Sequence, residues 1–301
     1  MSNWSSLLEQ LKAGDQKALA RSISLVENEA GDYGKLLGAL PYSNHTNIIG
    51  VTGPPGAGKS TLVDALIGEC ISQSKKVAVL CIDPSSPFNL GALLGDRIRM
   101  SQWYVHPNVF IRSLATRGSL GGLHPKIIEI TEVLKAAPFD YIIVETVGVG
   151  QSEIEIAGLA DVTAVVLVPE AGDEVQTMKA GLMEIADMFI VNKSDRPEAD
   201  QFVKNLRLML APAFSTHRQE VPVVKTSALQ KEGIKEVFEK ITQLLQQQLS
   251  NNKKSWLLAE RAYYLIQQKR MHDISKENLK QAIEQQLKKD EFNLYRFVQQ
   301  F

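Results

Sequence analysis

Short, almost wholly apolar runs alternating with amphipathic helical segments predict an α/β chain with a doubly wound, mostly parallel sheet and helical extensions at both ends. Seven runs carry the sheet: "NIIGVTG", "KVAVLCID", "NVFIRSL", "DYIIVET", "VTAVVLV", "DMFIVNK" and "VPVVKTS". Several are apolar at nearly every position, as parallel strands covered on both faces must be. The segments between them have helical periodicity and suit right-handed crossovers.

The flanks read differently. In residues 4–40, Leu7, Leu8 and Leu11 precede a break at Gly14-Asp15, and Ala18, Leu19, Ile23 and Val26 follow at helical spacing. Beyond residue 250, "SWLLAERAYYLIQQKR", "ENLKQAIEQQLKKD" and "EFNLYRFVQQF" are helical with an aromatic end. The expected organisation is an N-terminal helical extension over residues 1–42, a nucleotide domain over 43–250 and a C-terminal helical segment over 251–301.

Composition narrows the class. With 44% hydrophobic and 22% charged residues the chain reads as an ordinary soluble globular protein. A net charge of -1 offers no electrostatic reason for nucleic acid or an anionic membrane as the main partner. Cys70 and Cys81 form neither a Cys-x-x-Cys pair nor a disulfide framework, and small residues in a reduced interior are expected. "MSNWSSLLEQLKAGDQ" has no secretory or transit character, and no apolar run approaches membrane-spanning length, so the expected location is cytoplasmic.

The glycine-rich stretch Gly53-Pro54-Pro55-Gly56-Ala57-Gly58-Lys59-Ser60, followed by Thr61, satisfies Gly-x4-Gly-Lys-Ser. It lies where the first strand meets the helix "KSTLVDALIGEC". Glycines there let backbone N–H groups turn around phosphate oxygens, and the helix N-terminus adds partial positive charge. Lys59 is expected to reach the β- and γ-phosphates and the Ser60 hydroxyl to ligate Mg²⁺.

"FIVNKSD" ends a later strand with Asn192-Lys193-x-Asp195, a pattern that reads guanine. The Asp195 carboxylate can accept from both the ring N–H and the exocyclic amine of guanine; adenine offers neither and would leave it unpaired. Lys193 would lay its stem over the base and Asn192 would hold the loop. In "TSAL", Ser227, Ala228 and Leu229 form a turn able to give a backbone N–H to the guanine oxygen. These motifs in this order favour GTP over ATP.

Acidic residues supply the metal candidates. Glu145 ends the strand "DYIIVE" where many GTPases carry Asp-x-x-Gly, and Gly148 follows three positions later to offer its N–H to the γ-phosphate. Asp83 ends "KVAVLCID", and Asp96 closes the Ser/Pro/Gly-rich segment after it. Mg²⁺ keeps several waters, so Ser60, Asp83, Asp96 and Glu145 need not all ligate. Asp83 is alternatively placed to orient a water, and Asp96 equally suits an ion pair with Arg97. Lys59, Asp83 and Glu145 are the catalytic candidates. Hydrolysis of GTP by in-line attack of water is expected, slow without a partner, because no glutamine follows Gly148 directly and the next is Gln151.

At these residues the chain resembles a known family. "GPPGAGKSTL", "DPSSPFNLGALLGDRIRM", "ATRGSLGGL", "ETVGVGQSE", "PEAGDEVQ" and "NKSD" together are similar to the MeaB-like GTPases, chaperones of adenosylcobalamin-dependent methylmalonyl-CoA mutase. An older name for that family is arginine/ornithine transport kinase. The resemblance covers roughly residues 10–250. It implies a P-loop NTPase of the SIMIBI branch, bound GTP or GDP, a homodimer formed through the C-terminal helices, and a client mutase whose cofactor loading is gated. It also implies mobile segments at 83–96, 148–153 and 170–179; Lys179 or Gln176 either approaches the nucleotide in a closed complex or, the favoured reading, lies on a solvated helix face. Two alternatives stand beside it: a nickel-type metallocentre-assembly GTPase, although the five histidines, including His106 and His124, are scattered; and a kinase linked to amino-acid transport, although no acceptor pocket with a base stands out.

Overall fold

The computed structural model describes residues 4–43, 45–83, 100–117, 123–148, 152–171, 183, 185–214, 221–248, 253–288 and 292–301. Asp96, Gln151, Gln176 and Lys179 lie outside them.

Three short helices open the chain: α1 (Trp4–Lys12), α2 (Gln16–Glu27) and α3 (Tyr33–Gly38). Asp15 caps α2, its carboxylate accepting from the Ala18 N–H at 2.6 Å. Strands and helices then alternate: β1 (Asn47–Thr52), α4 (Lys59–Ser72), β2 (Val77–Asp83), a 3₁₀ turn at Ser101–Trp103, β3 (Val109–Ala115), α5 (Ile127–Lys135), β4 (Tyr141–Glu145), α6 (Ser152–Leu159) and β5 (Val162–Leu167). After these come β6 (Met188–Val191), α7 (Ala199–Phe214), β7 (Val223–Lys225) and α8 (Ile234–Gln248).

The seven strands form one sheet in the order β3-β2-β4-β1-β5-β6-β7, and every pairing is parallel. The chain runs outward from β1 to β3, returns to place β4 beside β1, and then builds the other half. The crevice outside the carboxyl ends of β1 and β4 is thus a topological switch point, the usual place for a ligand in such sheets.

Alternation along β1, β2 and β4 separates two cores. Ile49, Val51, Val77, Val79, Cys81 and Ile143 belong to the cluster that contains the buried face of α4. Ile48, Ala78, Leu80, Ile82, Ile142 and Val144 pack with α2, α5 and α6. Leu19, Ile23 and Val26 of α2 belong to this second core, so the N-terminal helices cover one face of the sheet. Gly50 has a steric reason: a Cβ there would lie 2.6 Å from Ile156 Cγ1 and 3.0 Å from Ala160 Cβ, so its absence lets α6 close onto β1.

Residues 255–301 form a second compact unit, containing most of α9 (Lys253–Arg270) together with α10 (Lys276–Leu287) and α11 (Leu294–Val298). Within it Phe297 is buried against the rings of Phe292 and Phe301. No described helix is long and apolar enough to cross a membrane.

Candidate nucleotide site

The turn between β1 and α4 has the backbone its glycines allow. Gly53, Gly56 and Gly58 take φ values of 138°, 76° and 86°, in the region that L side chains avoid. Two of these also lack room for a Cβ: at Gly53 it would meet the Val166 carbonyl, and at Gly58 the Asn192 amide. Between them, Pro54 accepts from the Ala57 N–H at 3.3 Å, while Pro55 and Gly56 are exposed. Lys59 is buried and donates to the carbonyls of Gly53 (2.8 Å) and Pro54 (3.0 Å), which folds the ammonium over the loop. The helix begins at Lys59, so the N–H groups of Lys59, Ser60 and Thr61 belong to the first turn, where intrahelical acceptors are missing.

One turn of chemistry lies beneath. Ser60 Oγ donates to Glu145 Oε1 at 2.6 Å, and both residues are buried. Parallel pairing supports this contact, because Glu145 is in register with Val51 on one side and Cys81 on the other. Asp83 ends β2 two residues beyond Cys81 and is also buried. Hydroxyl and carboxylate oxygens are the hard donors that Mg²⁺ prefers, so the adjacent pair Ser60 and Glu145 suits that ion.

A feature that motif reading overlooked joins the two strands here. Thr52 and Thr146 share a buried hydrogen bond at 2.9 Å, and the Thr146 N–H donates to the Val51 carbonyl at 3.0 Å. The chain after Glu145 is therefore fastened to the root of the phosphate loop. Gly148 follows at φ 84°, against Lys59 Nζ and the Gly53 carbonyl, where a Cβ has no space. Threonine hydroxyls on neighbouring strands are a signal only once the register is known.

The second half of the site is built around Asn192. Its amide nitrogen donates to the Ala57 carbonyl at 2.9 Å, and its Oδ1 accepts from Thr226 Oγ1 (3.2 Å) and the Ala228 N–H (3.0 Å). One buried side chain thus staples the phosphate loop to the turn after β7. Lys193 adopts φ 57°, a left-handed conformation uncommon for a residue with a side chain. It turns the chain so that Asp195, on the surface, accepts from Ser227 Oγ at 3.0 Å. Ser227 and Ala228 are buried, whereas Leu229 is 86% exposed beside them.

The sequence matches, over residues 19–286, the family described as methylmalonyl Co-A mutase-associated GTPase MeaB. The chain belongs to this family. It is 50% identical to a putative GTPase of Pyrococcus abyssi over 239 residues, covering 78% of this chain and 74% of that one. It is 38% identical to GTPase ArgK of Escherichia coli over 244 residues, 78% of this chain and 73% of the other. A Caenorhabditis elegans protein named methylmalonic aciduria type A homolog, mitochondrial, is 34% identical over 258 residues, 78% and 64% of the two chains. Among solved structures, that of an LAO/AO transport system kinase matches with a TM-score of 0.68 and 28% identity, covering 99% of this chain and 96% of that one. This MeaB-family chain is thus a GTPase with the P-loop α/β fold and binds guanine nucleotide.

Proposed function

We propose that GTP hydrolysis by this MeaB-family GTPase is Mg²⁺-dependent and switches a chaperone. The chaperone gates adenosylcobalamin loading and protects or reactivates methylmalonyl-CoA mutase or a related mutase. The family match over residues 19–286 carries this reading, and the names of the family and of the nematode relative point to the same client.

In this reading Lys59 leaves the Gly53 and Pro54 carbonyls to meet the β- and γ-phosphates, while the loop from Gly53 to Thr61 wraps the phosphate chain and the N–H groups of Gly58, Lys59, Ser60 and Thr61 line it. Ser60, Glu145 and Asp83 are the candidate holders of Mg²⁺, which would neutralise developing phosphate charge; Asp96 completes the candidate set from outside the described residues. Asp83 is the candidate for orienting the attacking water. Gly148 offers its N–H to the γ-phosphate. Asn192, Lys193 and Asp195, with Ser227, Ala228 and Leu229, form the guanine end, and the Asn192–Ala57 hydrogen bond supports placing the two ends in one pocket. The C-terminal helices are the proposed dimer surface, supported by the exposure of Tyr263, Tyr264 and Ile266 on α9.

The test is co-purification with candidate cobalamin-dependent mutases in GDP and in a non-hydrolysable GTP analogue. Binding that depends on the nucleotide, together with faster GTP turnover in the mutase's presence, is expected. Binding to no mutase in any nucleotide state would overturn the client. The kinase name carried by the matching solved structure favours one other reading, phosphoryl transfer to an organic acceptor. Following label from the γ-phosphate into water or into an acceptor separates the two.

A further inference from the structure

Asp64 sits on α4 one helical turn beyond Ser60, four residues on and therefore on the same face of the helix. Its carboxylate accepts from Trp103 Nε1 at 2.7 Å and from Gln102 Nε2 at 3.1 and 3.3 Å. One further turn along that face stands Gly68, where a Cβ would make ordinary contact with the Trp103 ring at 3.7 Å. The 3₁₀ turn Ser101–Trp103 is thus fastened along the stripe Ser60, Asp64, Gly68. Its own footing is firm: Met100 is fully buried in the core beneath α4, and the Trp103 ring meets His106 edge-on with centroids 5.9 Å apart. An aspartate inside a helix is a poor helix former, and a half-buried carboxylate is costly unless its oxygens are satisfied. Here the satisfying groups come from a different element.

We propose that Asp64 and Trp103 are positioning residues for GTP hydrolysis, a role that rests on the nucleotide reading of Ser60 and Glu145 given above. The latch holds the rotation of α4 about its axis, and with it the Ser60 hydroxyl at hydrogen-bonding distance from Glu145. It also transmits any shift of that first turn to an indole. Nucleotide and Mg²⁺ act on Ser60; about 6 Å along the axis, Asp64 moves with it as part of one rigid helix, and Trp103 follows.

Trp103 can report its own state, because the chain's other tryptophans are Trp4 and Trp256. In a Trp4→Phe/Trp256→Phe background, Trp103 emission is expected to differ between the nucleotide-free, Mg²⁺–GDP and Mg²⁺–GTP-analogue forms. Asp64→Ala, which removes the acceptor of the indole N–H, is expected to abolish that difference. Trp103→Phe keeps an aromatic ring but removes the donor and part of the ring surface facing Gly68; it is expected to lower the rate at saturating GTP by roughly 5- to 20-fold with GTP affinity changed less than about two-fold. Thermal melting verifies that each variant is folded. Unchanged emission in all three states, with calorimetry showing that nucleotide binds, overturns the latch and leaves the nucleotide site standing. A Trp103→Phe rate within about two-fold of the parent also overturns it. If calorimetry detects no guanine nucleotide binding by the parent, the site reading falls and the latch with it.

Discussion

In the proposed site Asp195 reads the base by charge and geometry, and its partner Ser227 makes the consequences of changing it explicit. Ser227 already occupies one lone pair at 3.0 Å, leaving the remaining acceptor capacity for guanine's ring N–H and amine. Asp195→Asn exchanges an acceptor for a donor. Affinity for GTP should fall by roughly 2–3 kcal/mol, because one of guanine's two donors then faces an amide N–H instead of a carboxylate oxygen. Xanthosine triphosphate presents a carbonyl where guanine has the amine, and should be bound and hydrolysed by the variant. Competition binding of the two nucleotides checks this; unchanged guanine preference would remove Asp195 from the base-reading role.

At the scale of elements, close approach and buried charge set the sensitivities. Gly50→Val would thrust a branched side chain into Ile156 on α6 and Ala160 just after it. Overpacking of this kind typically costs about 1–3 kcal/mol, so denaturant midpoints should drop accordingly. The joint between α2, β3 and α5 responds to pH instead. Arg112 and Arg117 both bind Glu27, at 2.8 and 3.2 Å, and Lys126 binds Glu29 and Glu129. His124 is buried among them, with Nδ1 accepting from the Lys126 N–H at 3.0 Å. Burial pushes its imidazole down to about 4; Glu27 opposes that shift, and the charges of Arg117, Lys126 and Arg112 reinforce it. Because the folded value lies below the unfolded one near 6.5, the unfolded chain takes up the proton first as pH falls. Stability is therefore full above about 6.5 and declines towards about 4, by up to roughly 3 kcal/mol from this group. His124→Asn should flatten that slope in denaturation measured across the window; an undiminished slope would assign it to other groups.

For the molecule as a whole, assembly is the open quantity that physics constrains. In the unit of residues 255–301, Tyr263 and Tyr295 are 62% and 82% exposed, an apolar load beyond what a solvated helix needs. Sedimentation of the full chain should give a dimer, and Tyr263→Glu on α9 should shift it towards monomer while leaving the nucleotide domain folded. A monomeric parent would overturn the dimer. Cys70 will take no part in assembly: it is buried and its thiol is pushed up to about 12, chiefly by that burial.

Much of this architecture is written in local chemistry. Parallel strands covered on both faces must be apolar throughout, so "NIIGVT" and "VAVLCID" announce themselves. The proposed phosphate and guanine contacts need particular residues at short fixed spacing, so the candidate stretches Gly53–Ser60 and Asn192–Asp195 stand out in the sequence as well. The joints between distant segments were not. Thr52 meets Thr146, Asn192 meets Ala57 and Thr226, and Trp103 meets Asp64 only because the strand order and helix packing bring them within hydrogen-bond range. Thr52, Thr146, Asp64 and Trp103 have no periodicity or motif of their own, and each would pass as an ordinary surface or strand residue. Spacing along the chain determines which groups can do the chemistry; the folded sheet decides which of them touch, since hydrogen bonds are short and directional and sequence distance carries no information about either property.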